Sequence, residues 1–174
     1  IKDLSNKDKF INFFELKIKD IIKHIYDLIS FNQYNSLDWN DLSLFIDKYW
    51  AKDHPLSKSK KLFEWQYGKS LQHDDIKQKS NYKFDFLILK KKYNKQIVGF
   101  WGATPLKFHL NNKLTNGIAL SMWFLMKKYR GCTIGIKMLE YFKNKFNTMI
   151  CLGINKKTAM PIFIKHKFKT GVLK

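Results

Sequence analysis

One arginine stands among 33 basic residues, and every other one is lysine. It is Arg130, in the run Tyr129-Arg130-Gly131-Cys132-Thr133-Ile134-Gly135, between a strand-like and a helix-like stretch. Arginine offers a planar fork of donors and a permanent charge, whereas lysine is a flexible point charge. Two glycines bracket a turn that opens a helix. Such a turn presents unpaired backbone N–H groups and the positive end of the helix dipole, which together suit a phosphate group. Residues 130–135 therefore form a candidate phosphate-binding loop. A solvated arginine on a surface turn is the plainer alternative, and Gly131 and Gly135 could equally cap and pack. Cys132 sits inside the loop, where a helix N-terminus favours the thiolate; no chemistry is assigned to it.

Chemistry at this loop needs a proton acceptor, and the surrounding sequence is poor in them. No Asp or Glu occurs between Asp85 and Glu140. A base must come from elsewhere or from water, and Asp53, His54, Glu64, His109 and Ser121 are the candidates. His54 ranks first, because an imidazole titrates near neutrality and this one follows an aromatic-rich segment on a loop. A histidine packed against Trp50 at a helix end is an equally plain reading. Ser121 lies within a strand and points to a cleft or into the core with equal chance. The run Leu62-Phe63-Glu64-Trp65-Gln66-Tyr67 could line a sugar or amine pocket, although its helical spacing favours core packing. Trp101 and Trp123 are strand tryptophans, suited to core or cleft wall. No set of His, Cys and carboxylate has metal-ligand spacing, so no metal is expected.

These residues need elements to position them. Apolar residues between Leu4 and Ile29 recur near helical spacing, so residues 4–31 read as helix, followed by a loop over 31–36. A second helix starts at Asp38 or Asn40 and buries Leu42, Leu44, Phe45, Ile46 and Tyr49. His54 precedes Pro55, which pushes it to an extended conformation and ends that helix. A third helix runs from Ser57 or Ser59 to near Gly68, and the polar residues 69–82 read as a loop. The period then changes. Residues 83–92 and 96–110 read as strands joined by a tight turn at Tyr93-Asn94-Lys95, and Asn111-Asn112-Lys113 is a second turn. Residues 117–126 form a strand apolar enough to be central. An amphipathic helix over 133–146, a short strand over 149–154, a short helix over 158–166 with Pro161 in its first turn, and a strand from 170 complete the order. A helix between two strands is a crossover, so the strands at 117–126 and 149–154 should be parallel neighbours.

The 174 residues suit one domain, and 45% apolar with 16% aromatic content argues for a packed globule. A net charge of +19 invites a nucleic-acid reading. The lysines, however, fall in every segment and form no stripe, and the arginines that read base edges are missing. Nucleic acid is not the expected partner. Two cysteines make no disulfide framework, so a reduced, cytoplasmic setting is expected. The longest apolar run, 118–126, is too short to span a bilayer.

The run Trp123 to Glu140 resembles the acetyl-CoA-binding motif of the GNAT acetyltransferase superfamily, Arg/Gln-x-x-Gly-x-Gly/Ala. This chain gives Arg130-Gly131-Cys132-Thr133-Ile134-Gly135. The run Gly153 to Phe168 resembles the family's strand leading into Ala-x-x-x-Tyr-x-Lys-x-Gly-Phe. The likeness covers about residues 83–174. It implies an α+β fold: a GNAT-like mixed central sheet flanked by helices, spanning 37–174, with an additional helical segment at 1–36. It implies acetyl-CoA as cofactor. The backbone of Phe124, Leu125 and Met126 would pair with the pantetheine arm, Arg130, Gly131, Cys132, Thr133, Ile134 and Gly135 would surround the pyrophosphate, and Asn155 and Phe163 would also face the cofactor. The acceptor would be a small-molecule amine or hydroxyl. The segments Trp50…Leu56 and Leu62–Tyr67 resemble a branch linked to bacterial surface-sugar pathways, which points to an amino sugar.

Two departures stand out. Thr133 replaces the motif's middle glycine. Phe163 replaces the tyrosine that often protonates the leaving thiolate, and phenylalanine has no proton to give. A scaffold that binds CoA or a partner without catalysis is one alternative, and an RNA-directed acetyltransferase or RNA binder is another. The chain stops where the family's sheet needs one more hairpin strand, so a longer parent protein, or a homodimer that completes the sheet, is expected.

Overall fold

A computed structural model describes residues 11, 15–17, 20, 27–68, 84–131 and 133–171. Most of the expected first helix, the 69–82 loop, Cys132 and the last residues of the expected C-terminal strand lie outside these. Five strands form one sheet in the order β1-β2-β3-β4-β5: β1 Ile29–Gln33, β2 Phe86–Lys91, β3 Ile97–Leu110, β4 Lys113–Leu125 and β5 Met149–Cys151. The first three pairings are antiparallel and the last, β4 with β5, is parallel. The sheet is thus mixed, as the crossover argument requires. Asn111 and Asn112 both take positive φ, 50° and 60°, at the β3–β4 turn. A tight hairpin whose twist matches its strands needs that conformation, and asparagine tolerates it best after glycine.

Both faces of the sheet are covered. On one face α1 (Trp39–Phe45, continued by a π-helical turn, Ile46–Trp50), α2 (Pro55–Lys58) and α3 (Lys60–Tyr67) bury Leu42, Phe45, Ile46, Phe63 and Tyr67 against Phe86, Ile88 and Phe100. On the other, α4 (Ile134–Lys143) and α5 (Met160–Lys165) bury Ile134, Met138, Leu139, Phe142 and Phe163 against Trp101, Ile118 and Leu120. Strand β2 is buried on both faces from Phe86 to Leu89, which explains its unbroken apolar run. Ser59 caps α3 through Leu62 N at 3.2 Å, and Pro161 lies in the first turn of α5, where it removes no helical bond. Among the described residues no helix is long and apolar enough to cross a membrane.

The structure corrects several expectations. Residues 29–33 are a strand, not the end of a helix or a loop; Ile29 to Gln33 pair with Lys91 to Leu87. β-branched and aromatic residues in Ile29-Ser30-Phe31 fit a pleated surface, and tertiary pairing overrides the helical spacing. Leu44 and Tyr49 are 69% and 38% exposed and so do not serve the core. Leu44 stands two residues from buried Leu42 and so points to the opposite side of the helix, and Tyr49 lies on the π-helical turn that follows Phe45. Residues 170 and 171 carry no strand.

Candidate active site

Strand β4 keeps β5 as partner only from Ile118 to Leu120, opposite Met149 to Cys151. Beyond that the two strands part and a cleft of about 730 Å³ opens. One cause is a bulge in β4. Phe100 pairs with Phe124 but Gly102 pairs with Ser121, so Trp101 alone faces both Met122 and Trp123. Met122 absorbs the extra residue at φ 51°. A bulge of this kind bends its strand and re-aims side chains. Here Ser121 and Met122, adjacent in sequence, both reach Tyr67 on the α3 side, at 3.3 Å and 2.8 Å from its hydroxyl. Trp123 then turns to the α4 side and stacks on Trp101, with ring centroids 4.3 Å apart and planes 6° off parallel.

At the mouth of the cleft lies the loop into α4. Gly131 has φ 83°, with open space where a Cβ would stand. Thr133, at the N-cap of α4, has φ 57° and ψ −2° and makes no side-chain cap hydrogen bond. The first N–H groups of a helix have no partner within it, and here the cap leaves them open toward an anion. A left-handed conformation costs a β-branched residue about 1–2 kcal/mol, which explains why a glycine suits this position. Gly135 lines the same cleft and also has a packing role. A Cβ there would stand 2.8 Å from a ring carbon of Trp123, so the missing side chain makes room for the tryptophan against the helix start.

Arg130 lines the cleft together with Gly131 and Thr133. Its Nε donates to the Leu125 carbonyl at 2.7 Å, and its guanidinium carbon lies 5.5 Å from the centre of the Phe124 ring. The fork is thereby fixed beside the loop. The same contact occupies the Leu125 carbonyl, and the Met126 N–H is given to Val98 at 2.9 Å. Of the backbone expected to pair with a pantetheine arm, these two groups are already engaged, while the edge of β4 past Leu120 has lost its neighbour. On the opposite wall the Asn155 side-chain oxygen accepts from the Lys157 and Thr158 N–H groups at 3.0 and 3.1 Å. Its amide NH₂ is therefore the group that Asn155 offers the cleft. Phe163 is 1% exposed and forms the floor with Trp101 and Trp123, at 6.1 Å from each.

The structure brings Ser121, Phe124, Leu125, Arg130, Gly131, Thr133, Gly135, Asn155 and Phe163 to one cleft. It does not bring His54 there. His54 caps α2, its Nδ1 accepting from Leu56 N at 3.2 Å, with its ring 4.7 Å from Trp50. Its Nδ1 is thus taken up by the start of α2, away from the cleft. Asp53 pairs with Lys58, Glu64 accepts from Tyr34 and Ser36, and His109 is exposed on the β3–β4 hairpin. Ile134 is buried in the α4 core, and Met126 packs between both cores at the strand end.

Tyr67 belongs to the aromatic run read as pocket lining or core, and its contact with Ser121 is what the sequence did not foretell. Tyr67 is fully buried, and burial pushes its hydroxyl pKa up to about 12, with the Ser121 hydrogen bond pulling the other way. A signal existed in Gly102, a glycine inside a strand, which marks close approach by another group. A Cβ there would stand 2.6 to 2.9 Å from the Tyr67 ring and oxygen. Cys151, also in the cleft wall, is held as a neutral thiol, with burial pushing its pKa up to about 11.

Solved structures share this mixed-sheet fold. No family model and no curated sequence matches the chain. An acetyltransferase of Trypanosoma brucei superimposes with a TM-score of 0.60 at 8% identity, over 84% of this chain and 96% of its own. The glucosamine-6-phosphate N-acetyltransferase of Arabidopsis thaliana gives 0.59 at 11%, over 84% and 95%. A predicted acetyltransferase of Clostridium acetobutylicum, solved with acetyl-CoA, gives 0.55 at 13%, over 83% and 92%. The chain has the GNAT acetyltransferase fold.

Proposed function

We propose that this chain is a GNAT-superfamily N-acetyltransferase, cytoplasmic, that moves an acetyl group from acetyl-CoA directly to the amine of a small molecule, an amino sugar or its nucleotide. The observation that carries the reading is the uncapped start of α4, opening with Arg130, Gly131 and Thr133 onto the cleft where β4 and β5 part. These residues fit acetyl-CoA: open helix N–H groups and an arginine fork for its phosphates, and a bared strand edge for its extended arm. The acceptor class is supported by the amino-sugar acetyltransferase that shares the fold.

When bound, acetyl-CoA supplies an acyl carbon activated as a thioester. Transfer would form a nitrogen–carbon bond and break the carbon–sulfur bond, with sulfur leaving as thiolate with the electron pair and one amine proton passing to water. The protein holds the two partners in line at the bulge, which is where most of the gain in such a reaction lies. Phe163 gives that thiolate no proton, and an aromatic floor of Trp101, Trp123 and Phe163 keeps water from that side.

The test is thiol release from acetyl-CoA with glucosamine, glucosamine 6-phosphate, a nucleotide-linked amino sugar and hydroxylamine. The reading expects release that depends on the amine and saturates with acetyl-CoA. Binding of acetyl-CoA with no release for any of them would make the chain a CoA-binding module instead.

A further inference from the structure

The Tyr67 hydroxyl has three polar neighbours and one proton. Gln66 Nε2 donates to it at 3.1 Å, which uses one lone pair. The Met122 thioether, at 2.8 Å, can only accept, so the tyrosine proton goes to sulfur. One lone pair remains, and it faces Ser121 Oγ at 3.3 Å. Ser121 must then be the donor. Its only proton then goes to Tyr67, which leaves its lone pairs unused at a residue that lines the cleft. The direction agrees with the Ser121 hydrogen bond favouring the charged form of Tyr67. Three features built into the backbone keep the arrangement: the Met122 bulge that turns both side chains to one side, Gly102 beneath the ring, and the placement of Tyr67 at the end of α3.

We infer that Tyr67 is a positioning residue that fixes Ser121 as a hydrogen-bond acceptor for an N–H of the incoming amine, at the point where β4 and β5 part. An amine has hydrogens to give Ser121 while its own lone pair stays free for the acyl carbon. A group that can only accept finds no partner there. The site thus selects an unhindered amine that keeps an N–H during attack, with primary amines preferred over secondary ones. This inference rests on the acetyltransferase reading and adds how the acceptor is held.

The test uses the full chain with hydroxylamine and glucosamine as probe amines, and compares the wild type with Tyr67→Phe, Ser121→Ala, Ser121→Thr and the double variant Tyr67→Phe/Ser121→Ala. Tyr67→Phe and Ser121→Ala should each lower kcat/KM for the amine about tenfold, through the amine's KM, with the KM for acetyl-CoA unchanged. The double variant should be no worse than Ser121→Ala alone, because Tyr67 acts through Ser121. Ser121→Thr, which keeps the hydroxyl, should stay near wild type. Wild-type rates in Tyr67→Phe, additive losses in the double variant, or a raised KM for acetyl-CoA would overturn the inference and leave the transferase reading standing. A wild type that releases no thiol with any of the four amines named above fails the transferase reading itself, and this inference falls with it.

Discussion

At the scale of residues, the site is set by a few backbone conformations that side chains do not favour. Met122 and Thr133 both adopt positive φ, at the bulge and at the start of α4. Strain held at such positions costs about 1–3 kcal/mol and persists where the surrounding structure demands it. Thr133 is the clearer case, since it is exposed, caps nothing and is β-branched. Thr133→Gly is expected to raise stability by up to about 1 kcal/mol in urea unfolding, with acetyl-CoA affinity unchanged or improved. A destabilised Thr133→Gly protein would mean that the hydroxyl or methyl makes a contact worth more than the strain. The sequence already marked Arg130, Gly131 and Thr133, because a lone arginine and a glycine-bracketed turn are local features. It could not reveal that Tyr67 reaches Ser121, since 54 residues separate them and a bulge sets the facing. His54 lies away from the cleft for a related reason. Its residue type suits a base, but its nitrogen was claimed by the helix that Pro55 begins.

At the scale of elements, periodicity recovered types better than faces. The hairpins, the crossover and the parallel pair follow from turn chemistry and from chain order. Which residues of a helix face inward depends on its winding, and here 3-10 and π turns bracket α1. The strand at 29–33 was hidden because its partner lies some sixty residues away, as Ser30 with Lys90. Helix α3 tests the inside–outside assignment. Phe63 and Tyr67, four residues apart, are fully buried, whereas Trp65 is 55% exposed. Phe63→Ala should lose about 3–5 kcal/mol in chemical denaturation, the usual range for a core aromatic. Trp65→Ala should change stability by less than about 0.5 kcal/mol. Comparable losses for the two would mean that Trp65 packs against something that this face of α3 does not account for.

At the scale of the whole molecule, a sheet covered on both faces offers, among the described residues, a place where an extended ligand can lie between strands, the gap beyond Leu120 and Cys151. The net charge of +19 gives that gap a favourable field for a polyanion without requiring a nucleic-acid surface. The central claim is that acetyl-CoA occupies this gap with its phosphates at Arg130 and the start of α4. Calorimetric titration of acetyl-CoA into the wild type and Arg130→Ala tests it most directly. The account predicts one saturable site in the wild type and a loss of about 1–3 kcal/mol in the variant, roughly 5- to 150-fold in Kd. No binding to the wild type, or equal affinity in the two proteins, would contradict it.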